Sequence, residues 1–527
     1  MTAARQTVPW DVVVTDPLAL EAHDRIAREN AARPLLARAA DLARSLDESL
    51  LDRKELADRL AAASEASGAP PASRAAARRL ANVGAVAVVT GQQPGFLGGP
   101  LLSFLKAAHA VTFAQALERA SGVPAVALFW NHSDDHDLDE TRTTALVDAR
   151  GQVRRITLDL GRGRPFLSDV IVPSSADASW ERVVDCLPSG PDLERVRATF
   201  RPRAGERFAS ETTRVLLALL GDRGLVVFEP RDLRPLLSRA LARVLRDAPA
   251  GLGRLRALGE RMRAEKRTPP LDLEDPPLVF ARTDRGRERA RFDGGAFRIP
   301  DGSAVSPSEL ADLVEREPDR FTAGVASRPA VEALALPTVA TVKGPAELAY
   351  APSAHCFLAD RPAPIAVPRF SATLLDRDLD RILAASRRSP AEVLRGETVS
   401  RDGAPHAGER ELERLEDEVR RRLGALAPSL RDLDSNLERP AAKTLATATR
   451  ALATLRAKLA RSIASHGASD DERRLAAALR PLGKPQERIV PAAPFLCAAW
   501  DRRVAAILEA IEPVPAGHAF VHLPDAP

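Results

Sequence analysis

Three stretches of the chain combine residue types able to bind and activate small molecules. The first, Gly91-Gln92-Gln93-Pro94-Gly95-Phe96-Leu97-Gly98-Gly99, carries four glycines in nine residues. Such a loop lets backbone N–H groups approach a ligand closely, and a helix N-terminus after it favours an anion, phosphate or carboxylate. Lys106 adds a positive charge about two turns into that helix. The stretch matches neither GxxxxGK[ST] nor GxGxxG, and a ligand-free glycine-rich connection is the competing reading.

The second stretch is Asn131-His132-Ser133-Asp134-Asp135-His136-Asp137-Leu138-Asp139-Glu140, with five carboxylates and two imidazoles. One reading is a divalent metal held by His and Asp. Another is a patch that binds an ammonium group and accepts its proton. Crowded carboxylates repel one another, which raises some of their pKa values and that of His136. A solvated acidic loop is the third. The amine reading is preferred, because so dense a run rarely turns all its carboxylates toward one ion. The third stretch, Lys343 to Tyr350, contains Glu347 and the only tyrosine of the chain. With Arg328 upstream and Arg369, Ser371 and Thr373 downstream, it offers a second wall for the same crevice.

These residues need elements to position them. Gly84 to Thr90 and Pro124 to Trp130 are apolar strand-like runs flanking a helix from Pro100 to Arg119, a βαβ unit. Further strands are expected at 224–228, 337–342 and 364–367, giving an open α/β sheet. Both polar stretches would then lie at strand carboxyl ends, where such sheets bind ligands. Residues 17–82 read as packed helices, and 143–200 and 268–305 read as insertions. After 376 leucines recur at 3- and 4-residue steps on both sides of Pro440, as in an antiparallel coiled-coil hairpin or an ordinary helical bundle. Pro428 should kink or split the first of those helices. An apolar seam of this kind seeks a partner, and a homodimer is the simplest.

Composition narrows the classes. The 527 residues are 45% hydrophobic and 28% charged, which excludes wholesale disorder. The 76 basic residues, 69 of them arginines, nearly balance 72 acidic ones without long like-charge blocks. Neither nucleic acid nor an anionic membrane is therefore expected as a partner. The three cysteines lie far apart with no CxxC pair, so neither a disulfide framework nor a thiolate zinc site is expected. No apolar run approaches the length of a membrane span, and a cytoplasmic protein is expected. No GxSxG or HExxH motif occurs.

At TGQQPGFLGGPL (90–101), PAVALFWNHSDDHDLDE (124–140) and SRPAVEALALPTVATVKGPAELAY (327–350) the sequence resembles the BshC family. PRFSATLL (368–375) and PLGKPQER (481–488) extend the likeness. The resemblance implies a Rossmann-like, nucleotidylyl transferase-like core over residues 1–380 with the two insertions. It further implies a coiled-coil dimerisation arm over 381–470 and a C-terminal segment, 471–527, returning to the core. The implied reaction joins the carboxyl of L-cysteine to the glucosamine amine of malyl-glucosamine in bacillithiol biosynthesis. ATP or ADP is the implied cofactor, and no metal is expected. Asp135, His136 and Asp137 would be catalytic. Gln92, Gln93, Lys106, Asn131, Asp134, Arg328, Glu347, Tyr350, Arg369, Ser371 and Thr373 would bind substrate, and Gly91, Gly95, Gly98 and Gly99 the nucleotide. The alternatives are a nucleotidylyl transferase-like enzyme acting on another small carboxylate, and a non-catalytic dimeric ligand-binding protein.

Overall fold

Val86–Gln92 (β1) and Ala125–Asn131 (β2) are apolar runs with almost every residue buried, as strands covered on both faces must be. Val226–Phe228 (β3), Thr338–Lys343 (β4) and Ile365–Pro368 (β5) complete a fully parallel sheet in the order β5-β4-β1-β2-β3. Read from the other edge this is 3-2-1-4-5, the order of doubly wound nucleotide-fold sheets. The computed structural model describes residues 5–46, 51–161, 163–267, 269–273, 275–359, 361–396, 407–434, 437–467 and 469–525.

Alternation along each strand sends successive side chains to opposite faces. Val86, Val88, Ala127 and Phe129 join one apolar cluster with Leu101–Ser121 (α1) and Phe208–Leu220 (α2). Ala87, Val89, Leu128 and Trp130 join a second with Arg234–Arg246 (α3) and Arg328–Ala335 (α4). Pro345–His355 (α5) follows β4 directly. The strand and helix expectations for this sheet hold to within two residues at each end.

Three features lie outside the expected sheet. Residues 5–8, 518–522 and 371–375 form a separate three-stranded sheet with 518–522 in the middle. The insertion at 143–200 contains a hairpin and two helices, Ala176–Val184 and Leu193–Phe200. The strands of 279–305 pair with 321–323 in a five-stranded antiparallel sheet.

The chain divides into two compact units, Met1–Arg381 with Ala478–Pro527, and Ile382–Ala477. Within the second unit Ala407–Leu433 (α6) and Glu438–Gly467 (α7) pack on one another, and Arg456 of α7 reaches Glu416 of α6 at 3.4 Å. Pro428 lies inside α6 and does not split it. Residues 397–406, 435, 436 and 468 of the expected arm lie outside the described residues. Among the described residues no helix is long and apolar enough to cross a membrane.

Candidate active site

The sheet order reverses between β1 and β4, and a small polar crevice of about 30 Å³ opens at their carboxyl ends. Lys343 from β4, Arg328 and Glu332 from α4, and Glu347 and Tyr350 from α5 line it, together with His132. A second chamber, also of about 30 Å³, adjoins it beside Asp134, Asp135 and Arg234, and His132 and Arg328 border both.

Gly91 explains how His132 comes so close to β1. A Cβ at position 91 would stand 2.5 Å from His132 Nε2, so only glycine admits the ring there. His132 Nδ1 lies 3.2 Å from Arg328. Burial, then the charges of Arg328 and Lys106, depress the imidazole well below its ordinary value, so the ring is neutral and Nδ1 accepts from the guanidinium.

The loop after β1 and the acidic run after β2 meet where Gln93 Nε2 donates to Asp135 Oδ2 at 2.7 Å. The acidic run itself fans apart. Asp134 forms a bidentate pair with Arg234 at 2.6 and 2.8 Å. Asp135 Oδ1 accepts from the His136 N–H at 2.8 Å and from Arg287 at 3.4 Å. Asp137 is exposed and caps the short helix Leu138–Thr141 through the Glu140 N–H, so it does not face the chambers. The expected rise in pKa is reversed. Burial pushes the Asp135 carboxyl up, but Arg328 and Arg287 outweigh it and hold the group low. Burial, Arg164 and Arg287 lower His136, which contacts the Arg164 guanidinium. These arginines come from distant segments and were invisible in a local reading of carboxylate repulsion.

Lys106 is buried and pins the other wall, with Nζ donating to Gly91 O at 2.6 Å and Glu347 Oε2 at 2.7 Å, and more weakly to Gln92 Oε1 at 3.4 Å. The Gly344 N–H also donates to Glu347 Oε2, at 2.6 Å. Although burial favours protonation of Glu347, Lys106 and Lys343 keep its carboxyl low. Lys343 is only 8% exposed and forms no ion pair with a described residue.

The glycine loop does not fit a nucleotide phosphate. The Gly95 N–H donates to Thr212 Oγ1 at 3.0 Å and the Leu97 N–H to Glu211 Oε1 at 2.6 Å, both on α2, and the Gly98 N–H also bonds Glu211. An internal carboxyl thus fills the anion cradle, and Gly95, Gly98 and Gly99 line neither chamber. Gly98 has φ +73° and packs against Val215 of α2, which explains the glycine without a ligand.

Other expected site residues also serve the framework. Asn131 shares the face of Phe129, and its Nδ2 donates to Ala209 O and Thr213 Oγ1 of α2. Arg369 forms a buried bidentate pair with Glu487 at 2.5 and 2.9 Å, and Ser371 bonds Glu487 and His518. Thr373 bonds His518 Nε2 at 2.8 Å. Burial would raise the Glu487 carboxyl, but Arg369 overcomes it and holds the group at about 2. These three residues anchor the C-terminal segment rather than a substrate. Glu332 and Arg234 were not singled out from sequence, and His132, though part of the acidic run, was given no role of its own. Glu332 carried a usable signal, its i, i+4 spacing from Arg328.

A 3-2-1-4-5 parallel sheet with a polar crevice at its reversal defines a Rossmann-like core. The family model described as "Bacillithiol biosynthesis BshC, N-terminal Rossmann-like domain" matches residues 30–369. A Thermus thermophilus protein named "Putative cysteine ligase BshC" is 34% identical over 471 residues, covering 82% of this chain and 90% of its own. A protein of the same name from Geobacillus kaustophilus is 30% identical over 462 residues, covering 83% and 84%. The chain belongs to the BshC family of ligase-type enzymes.

Proposed function

We propose that the chain joins the carboxyl of L-cysteine to the glucosamine amine of malyl-glucosamine, as a ligase of bacillithiol biosynthesis. The names of its relatives supply the substrate class. The observation that carries the reading is the pair of chambers sharing His132 and Arg328, which suits two substrates whose reacting atoms must meet. In the crevice, Lys343 and Arg328 complement a carboxylate or acyl oxygen. On the other side Asp135, held ionised and aimed by Gln93, accepts hydrogen bonds from the amino sugar.

A cytoplasmic homodimer completes the reading. Leu415, Leu426, Leu433 and Leu455 on α6 and α7 are exposed, and a second copy would cover them.

Mass spectrometry of the purified protein with L-cysteine and malyl-glucosamine, with and without ATP, tests the activity. The expected result is a product of summed mass less one water. No such product in either arm would sink the proposal.

A further inference from the structure

Glu332 lies one helical turn after Arg328 on α4, so both side chains share the face that lines the crevice. The neighbouring carboxylate, Glu347, is already engaged by Lys106 and the Gly344 N–H. The Glu332 carboxyl has no hydrogen bond or ion pair with a described residue. The charged and titratable groups facing it are Lys343 from β4, Glu347 and Tyr350 from α5, Lys106 from α1, and Arg328 on its own helix. Enclosure pushes its carboxyl up, Lys343 opposes and Glu347 adds to the rise, and the outcome is about 7. Such a group changes protonation at neutral pH, as a general base must. Asp135 is a poor candidate for that task, because it is held low and both its oxygens are engaged.

We propose that Glu332 is the catalytic base of the coupling reaction, taking the proton of the amine that attacks the acyl carbon in the crevice. This rests on the reading above that an acyl group and an amine meet there. The acyl donor is an activated ester or anhydride of the amino acid. The nitrogen lone pair forms the C–N bond of the amide, and the bond from the acyl carbon to the leaving oxygen breaks. The leaving group departs with that electron pair, and the surplus N–H proton passes to a Glu332 carboxylate oxygen.

Two measurements on the full-length protein test this. In the first, product from L-cysteine, malyl-glucosamine and ATP is followed as a function of pH. The wild-type rate is expected to rise through about pH 7 as Glu332 ionises. Glu332→Gln should be about 100-fold slower and lack that rise, with Glu332→Asp in between. An unchanged rate and pH profile in Glu332→Gln overturns the assignment. In the second, calorimetric titration of malyl-glucosamine in buffers of different ionisation enthalpy counts the protons exchanged on binding near pH 7. Wild type should exchange protons that Glu332→Gln does not, and equal counts overturn the assignment. If wild type makes no product, the reading of the reaction fails and the calorimetry still decides Glu332. Absence of binding overturns both.

Discussion

Gln93 and Asp135, 42 positions apart, meet at 2.7 Å beyond the carboxyl ends of β1 and β2. The glutamine amide fixes one oxygen of a carboxylate whose other oxygen is held by the His136 N–H and Arg287. Gln93→Leu removes that donor without touching a core cluster. The expected outcome is a fall in kcat/KM of about tenfold with the melting temperature unchanged, read by steady-state coupling kinetics and thermal unfolding. An unaltered kcat/KM would show that the pair does not orient a substrate.

Lys106 and Glu347 link α1 to α5 through an ion pair closed off from solvent on the lysine side. Lys106→Met strands the carboxylate and should cost about 3 kcal/mol in urea unfolding. Adding Glu347→Gln to that variant should restore part of the loss, and a double-mutant cycle measures the coupling. Strict additivity would refute the pairing.

Glu211 gives stability a pH dependence. Burial pushes its carboxyl from 4.5 up to about 8. The folded state therefore binds the proton more tightly than the unfolded chain. Its contribution is full below about pH 4.5 and is lost as the pH rises through about 8, for a total of about 5 kcal/mol. Denaturant titrations of wild type and Glu211→Gln at several pH values should diverge in the variant's favour across this window. Parallel curves would mean that the carboxyl ionises freely in the fold.

The exposed leucines of α6 and α7 set a test of assembly. Leu426 and Leu455 are 51% and 50% exposed. Replacing both with Glu should convert a dimer to a monomer in size-exclusion chromatography with light scattering, leaving helical content intact by circular dichroism. A wild-type monomer would remove the proposed dimer outright.

Much of the sheet could be read before any coordinates. Val86 to Gln92 and Ala125 to Asn131 are buried on both faces, and that environment demands continuous apolar runs a reader can see. Ser371–Leu375 was harder. Its hydroxyls, beside Arg369, read as part of a second wall of the crevice, yet both are spent on Glu487 and His518, more than 100 positions away. The glycine loop misled for a related reason. Its spacing suits an anion, yet the group that accepts from the loop's N–H donors is the chain's own Glu211 carboxyl.

The sequence by itself determined the strands, the crossover helix and the chemical types gathered at the strand ends, because these depend on local periodicity and burial. Only the tertiary structure decided that β4 lies beside β1, which brings Glu332, Lys343 and Glu347 to the loop that follows Gly91. It also decided which carboxylates are basic, since the field at each depends on arginines and lysines brought from distant segments by packing.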